Sequence, residues 1–204
     1  MTKNKLFSSD IYTFVLEDFK DINKDLLKSI NTINIENSQS KSNAGGWHSN
    51  TNLYLNSNFN IFINEIINVV NNILLIDFYQ NKLPISSEDI HALWAIINKK
   101  GDYNKSHFHP NSWLSGVYYV SVKDDIKNGS ICFKAPVMQR YINEYTFSDN
   151  SYWECLQPTE GLLVLFPSYL EHRVKVNELD SDRVVLSFNI HPKPQEMQIH
   201  RSIN

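Results

Sequence analysis

The sequence predicts an α+β fold, with N-terminal helices packed on a C-terminal jelly roll or barrel. Three observations carry this reading. Two stretches within the first 83 residues repeat apolar side chains every three or four positions, as one face of a helix does. After Pro84 that pattern gives way to six short apolar or alternating runs, the spacing of a closed or two-layered β architecture. Punctuation is uneven as well: all seven prolines lie at or after Pro84, and no glycine falls between Trp47 and Lys100. A chain of 204 residues, 42% hydrophobic and 20% charged, suits one domain with a substantial core. The expected division is a helical part over 1–83 and a jelly-roll core over 84–192, both within a single domain spanning 1–204.

The first element expected is a strand, Ile11 to Leu16, rich in β-branched and aromatic residues. A helix follows, because Ile22, Leu26, Leu27, Ile30 and Ile33 align on one face; its end is expected near Asn37. Ser38 to Asn60 is polar and contains Gly45-Gly46, so it reads as a loop. In the second helix Ile63, Ile66, Ile67, Val70, Ile73 and Leu74 form the apolar face, opposite a row of asparagines. The six strands expected after Pro84 are His91 to Asn98, Trp113 to Val122, Ser130 to Lys134, Leu162 to Phe166, His172 to Val176 and Val184 to Ile190. Neither an internal repeat nor a linker separates them.

Composition excludes several classes of function. A net charge of −3 without blocks of like charge offers no footprint for nucleic acid or an anionic membrane. No run approaches the ~18 apolar residues of a membrane span, and the polar opening has no secretory apolar core, so a cytoplasmic location is expected. Cys132 and Cys155 form no Cys-x-x-Cys pair and read as two small buried apolar side chains, not as a disulfide scaffold or a thiolate zinc site.

The chemistry concentrates on three histidines. His107-Phe108-His109 precedes an apolar strand, and His172 follows another. In extended backbone, residues i and i+2 share a face, so His107 and His109 can reach one ion while Phe108 packs away. His172 completes a three-ligand site if the two strand ends meet across a barrel mouth, leaving coordination positions open for small ligands. Arg183 stands eleven positions after His172, at the head of an apolar strand. Buried there, its planar fork calls for a bidentate carboxylate partner. If it lies instead at an exposed strand end, Glu178, Asp180 and Asp182 are at hand.

These pieces together resemble a known family. His107-x-His109, Ser115 to Val120, Gly161 to Ser168, His172, and Arg183 with Ser187-Phe188-Asn189 look like the iron(II)- and 2-oxoglutarate-dependent oxygenases. A bacterial and phage branch of unknown substrate is the nearer likeness, and Gly46-Trp47-His48-Ser49 matches its glycine-tryptophan-x-serine segment. The resemblance implies a double-stranded β-helix binding Fe(II) on His107, His109 and His172, with 2-oxoglutarate as cosubstrate. Arg183 would grip the distal carboxylate of that cosubstrate, helped by Tyr119 and Ser187. The activity implied is hydroxylation of an amino-acid side chain or small metabolite, on a small-molecule or peptide substrate, with a homodimer left open.

One departure matters: position 109 is histidine where the superfamily usually has a carboxylate. A neutral third ligand leaves the site one unit more positive. Three-histidine iron also occurs in cupin dioxygenases that use no 2-oxoglutarate, and a cupin-like module binding a metal or anion without turnover is the further alternative. Asp102 and Glu171 are the carboxylates that could replace His109, Glu171 being the poorer because it neighbours His172 on the opposite face. Asn98, Asn104 and Ser115 are candidate substrate or supporting residues. His48, His91, His191 and His200 read as surface or structural, and the four tryptophans as core or rim aromatics. Specificity is expected in the loops Ala44 to Asn58 and Ala135 to Gln157.

Overall fold

The computed structural model of the chain describes residues 9–33, 38–77, 84–136 and 153–191. Two antiparallel sheets face each other. The larger has the order β1-β9-β6-β11-β4-β3 and the smaller β2-β5-β10-β7-β8. In chain order the strands are β1 (Tyr12–Val15), β2 (Asn43–Ala44), β3 (Trp47–His48), β4 (Ile90–Asn98), β5 (Tyr103–His107), β6 (Leu114–Ser121), β7 (Ile131–Lys134), β8 (Trp153–Leu156), β9 (Leu162–Pro167), β10 (His172–Val174) and β11 (Arg183–Ile190). The helices are α1 (Phe19–Asn31) and α2 (Asn60–Asp77). This is the double-stranded β-helix with N-terminal helices that the sequence predicts.

Strand alternation divides the core in two. On β11, Val184, Leu186, Phe188 and Ile190 face the helices, where Leu26 and Ile30 of α1 and Phe62, Ile66 and Val70 of α2 are buried. Phe62 packs its ring 4.9 Å from Tyr118 and 6.3 Å from Phe188. Arg183, Val185, Ser187 and Asn189, the alternate set, face the interior between the sheets. A strand covered on both faces reads as one apolar run, which is why its polar exceptions are informative.

All six expected strands form, with ends shifted by a residue or two. β5 and β8 were not foreseen. β5 carries Tyr-Asn-Lys-Ser-His, which has no apolar alternation because its inward positions are polar as well, Asn104 and His107 lining the cavity. The stretch Ser38 to Asn60 is more than a loop: β2 pairs with β5, and β3 pairs with β4 through Trp47↔Ile97 and His48↔Ile96. Gly46 makes the approach possible. Its φ is +67°, and a Cβ would lie 2.7 Å from the Ile97 carbonyl oxygen. Ser49 completes the edge by accepting the Ala95 N–H on its Oγ at 2.9 Å. α1 ends at Asn31, where the Thr32 N–H donates to the Ser29 carbonyl, six residues short of the end expected near Asn37. Most of Ala135 to Gln157 lies outside the described residues, although β8 occupies the end of it.

The cysteines are a correction. Cys132 and Cys155 face each other directly across β7 and β8 and form a disulfide. Twenty-two intervening residues and no motif hid the pairing in the sequence; strand register brought it about. No helix among the described residues is long and apolar enough to cross a membrane.

Candidate metal and cosubstrate site

Pairing of β10 with β5 sets His172 opposite His107, their ring centroids 4.3 Å apart. His109 lies just past the end of β5, where its N–H donates to the Ser168 carbonyl at 3.0 Å. That bond turns the chain back, so the His109 ring sits 5.1 Å from His107 and 5.0 Å from His172. One ligand nitrogen from each of the three lies within 4.8 Å of the others. Phe108 points outward and is 57% exposed, as i, i+2 alternation requires.

Backbone carbonyls fix the tautomers of two rings. Nδ1 of His107 donates to the Lys105 carbonyl at 2.8 Å, and Nδ1 of His172 to the Leu170 carbonyl at 2.9 Å. Both Nε2 lone pairs are thereby left for a ligand. Burial holds the imidazoles neutral. Loss of hydration, reinforced by the neighbouring imidazoles, pushes His109 down to about 3. The same two causes bring His172 to about 4, and burial lowers His107 as well. Neither candidate carboxylate joins the cluster. Asp102 Oδ2 accepts the Lys99 N–H at 2.8 Å, and Glu171 is held outside by Ser106 and Lys134 at 2.6 and 2.8 Å.

Arg183 is buried, with 2% of its surface exposed. Of the two readings open in the sequence, the exposed strand end is the one the structure overturns: Asp180 pairs with Lys100 at 2.9 Å, and no ion pair to Arg183 occurs among the described residues. The guanidinium donates to the Gly129 carbonyl at 2.7 Å and to the side-chain oxygen of Asn98. Gly129 has φ +75°, and a Cβ there would come within 3.2 Å of Arg183 Nη1. Its Nε has no partner, nor has the Tyr119 hydroxyl, on a side chain that is wholly buried. Burial pushes Tyr119 up to about 12, with the Arg183 charge pulling the other way, so the phenol stays a donor. A buried cation without an anion is costly, and the unpartnered Arg183 Nε and Tyr119 hydroxyl are donors that could hold a carboxylate.

One cavity of about 550 Å3 connects these groups. His107, His109, His172, Arg183, Tyr119 and Ser187 all line it, and Asn104 joins them with an unpartnered Oδ1. Asn98 and Ser115 do not reach it. Asn98 instead holds Arg183, while Ser115 donates to Asn189 Oδ1 at 2.8 Å and meets Ser168 Oγ at 2.7 Å. Of the reading of His48 as a surface or structural residue, the surface half is overturned: it is buried, lines the cavity and stacks on Trp94 at 5.8 Å. Trp94 in turn lies 5.7 Å from His109. His48 and Lys41 went unsingled as wall residues because a polar loop without periodicity gives no sign of pairing onto a sheet edge. The glycine pair before Trp47 was the one available signal.

Residues 92–189 match a family model described as "Putative 2OG-Fe(II) oxygenase". No curated protein sequence matches the chain. Among solved structures, a prolyl-4-hydroxylase from Pseudomonas putida is similar with a TM-score of 0.61 at 12% identity, over 91% of this chain and 94% of its own. HygX from Streptomyces hygroscopicus, solved with nickel and 2-oxoglutarate, gives 0.60 at 10% identity over 91% and 84%. The α-ketoglutarate-dependent epimerase SnoN of nogalamycin biosynthesis gives 0.60 at 9% identity over 90% and 82%. Likeness at such identities speaks for the fold. The family match spans residues 92–189, from within β4 to within β11, so the sequence likeness falls on the jelly-roll core, the part of the fold that holds the three histidines and Arg183.

Proposed function

We propose that this protein is an oxygenase that holds Fe(II) on His107, His109 and His172 and 2-oxoglutarate between that ion and Arg183, and that it hydroxylates a small molecule. The observation that carries the reading is Arg183: a buried guanidinium with no acidic partner, beside an unpartnered Tyr119 hydroxyl, in the cavity the three histidines line. A module that binds only a metal, or a dioxygenase independent of 2-oxoglutarate, has no use for such a clamp, and a module that binds an anion without turnover is separated by the test below.

The donor set fits the ion. Three neutral imidazoles suit a divalent first-row metal and leave positions free for a chelating cosubstrate. Iron with 2-oxoglutarate supplies the oxygen activation that places one oxygen atom in a substrate C–H bond and releases succinate and CO2. The chain's own part is binding and orientation. Nδ1–H bonds to Lys105 and Leu170 aim His107 and His172 at the ion. Arg183, steadied by Asn98 and Gly129, offers Nε, and Tyr119 its hydroxyl, to the distal carboxylate. Ser187, which lines the cavity from the same face of β11, would bond the cosubstrate as well. Phe166, Ile131 and Val185 give the cavity apolar walls that exclude water.

Anaerobic addition of iron(II) and then 2-oxoglutarate to the purified protein tests this. The expected result is a weak visible charge-transfer band of a chelated 2-oxo acid, saturating at one cosubstrate per iron. Iron uptake without that band would reject the 2-oxoglutarate part and favour the cupin-like alternatives.

A further inference from the structure

The cavity continues past the three histidines to a second wall. His48 and Trp94 stack with their planes 12° apart and form an aromatic face beside His109. Pairing of β2 with β5, closed by the Lys105 N–H to the Ser42 carbonyl at 2.8 Å, sets Lys41 and Lys105 along the rim. Both lysines are exposed, and neither forms an ion pair among the described residues. No aspartate or glutamate of those residues lines the cavity. The acid closest to the histidines, Glu171, is occupied by Lys134 and Ser106.

Charge balance gives this lining its meaning. With three neutral ligands, a divalent ion and the two negative charges of 2-oxoglutarate cancel; with a carboxylate ligand the same assembly would be negative. Arg183 is taken up by the distal carboxylate in that assembly, so Lys41 and Lys105 on the rim are the charges left without an ion-pair partner among the described residues. His48 Nδ1 bonds the Ser49 carbonyl at 2.6 Å, and burial together with the Lys41 charge disfavours its imidazolium form. A concave site with one sign of charge concentrates ligands of the other. Asn189 lines the same wall, where its Oδ1 accepts from Ser115 at 2.8 Å.

We infer that the substrate is an organic anion, a carboxylate or a phosphate monoester, with its charged group at Lys41 and Lys105 and its body against Trp94 and His48. This rests on the proposed oxygenase reading and specifies its substrate class. A cation would meet the two lysine charges, and a neutral molecule would leave both unused.

The test uses the full chain loaded with Mn(II) and saturating 2-oxoglutarate, and reads paramagnetic broadening of probe proton signals. Phenylacetate and phenyl phosphate are compared with the neutral phenylacetamide. Broadening of at least one anion should exceed that of the amide by about tenfold, the scale of two solvent-facing ion pairs acting together. Which anion is favoured distinguishes carboxylate from phosphate. The preference should vanish in Lys41→Gln/Lys105→Gln and reverse in Lys41→Glu/Lys105→Glu, with broadening of 2-oxoglutarate itself unchanged. Equal broadening by the amide, a preference that survives in both double variants, or no broadening of any probe would overturn the inference. Loss of 2-oxoglutarate broadening in the wild-type protein would instead reject the oxygenase reading.

Discussion

Arg183 and Asn98 face each other across the pairing of β11 with β4, and the Asn98 side-chain oxygen accepts from the guanidinium. Both side chains are buried. A neutral amide can orient the cation without neutralising it, so the charge stays available to a ligand.

Removal of the cation is the most direct check. Arg183→Ala should weaken 2-oxoglutarate binding by about thirtyfold or more, since truncating one partner of a buried charge pair costs roughly 2 to 5 kcal/mol. Iron affinity should hardly change. Arg183→Lys should recover part of the loss as a point charge without the fork. Calorimetric titration of the iron-loaded variants reads both numbers, and equal cosubstrate affinity for wild type and Arg183→Ala would refute the clamp.

Asn98 acts through Arg183, and its two substitutions should differ. Asn98→Ala removes one hydrogen bond and should cost about tenfold in 2-oxoglutarate affinity, near 1.4 kcal/mol. Asn98→Asp supplies an internal carboxylate that competes with the cosubstrate, so binding should fall much further although the protein remains folded. The same titrations, with circular dichroism for the fold, check the order.

At the metal, His107→Ala or His172→Ala should abolish stoichiometric iron binding, whereas exposed His91 should tolerate the same change. His109→Asp should keep the metal, because a carboxylate there restores the commoner ligand set. Full iron occupancy in both alanine variants, measured by metal analysis, would dismiss these ligands.

Acid should destabilise the metal-free protein. His172 and His109 have folded values near 4 and 3 against an ordinary 6.5, so the unfolded chain binds more protons between those limits. Stability is therefore full above about pH 6.5 and is lost as pH falls towards about 4, by at most ~1.4 kcal/mol per group for each pH unit. Urea midpoints across that range should decline on acidification, and less steeply in His172→Gln. A flat profile would contradict buried neutral imidazoles.

The disulfide gives a prediction free of the metal. Cys132→Ser should lower unfolding free energy by about 3 kcal/mol, the chain-entropy value for a loop of this length. Protein denatured without reductant should show no free thiol by colorimetric titration.

The sequence by itself determined the helical N-terminal part, six strands, and the three histidines with Arg183, because apolar periodicity and i, i+2 alternation are local properties of the chain. It also carried a resemblance strong enough to suggest iron and 2-oxoglutarate. Only the tertiary structure decided what depends on pairing between distant segments. Register set Cys132 against Cys155, and His172 against His107. Gly46 folded a polar segment onto the edge of β4 and carried His48 into the cavity, and the Gly129 carbonyl settled as buried a strand end that the sequence left open. Such contacts join residues tens of positions apart, and a hydrogen bond across that distance leaves no period in the chain for a reader to find.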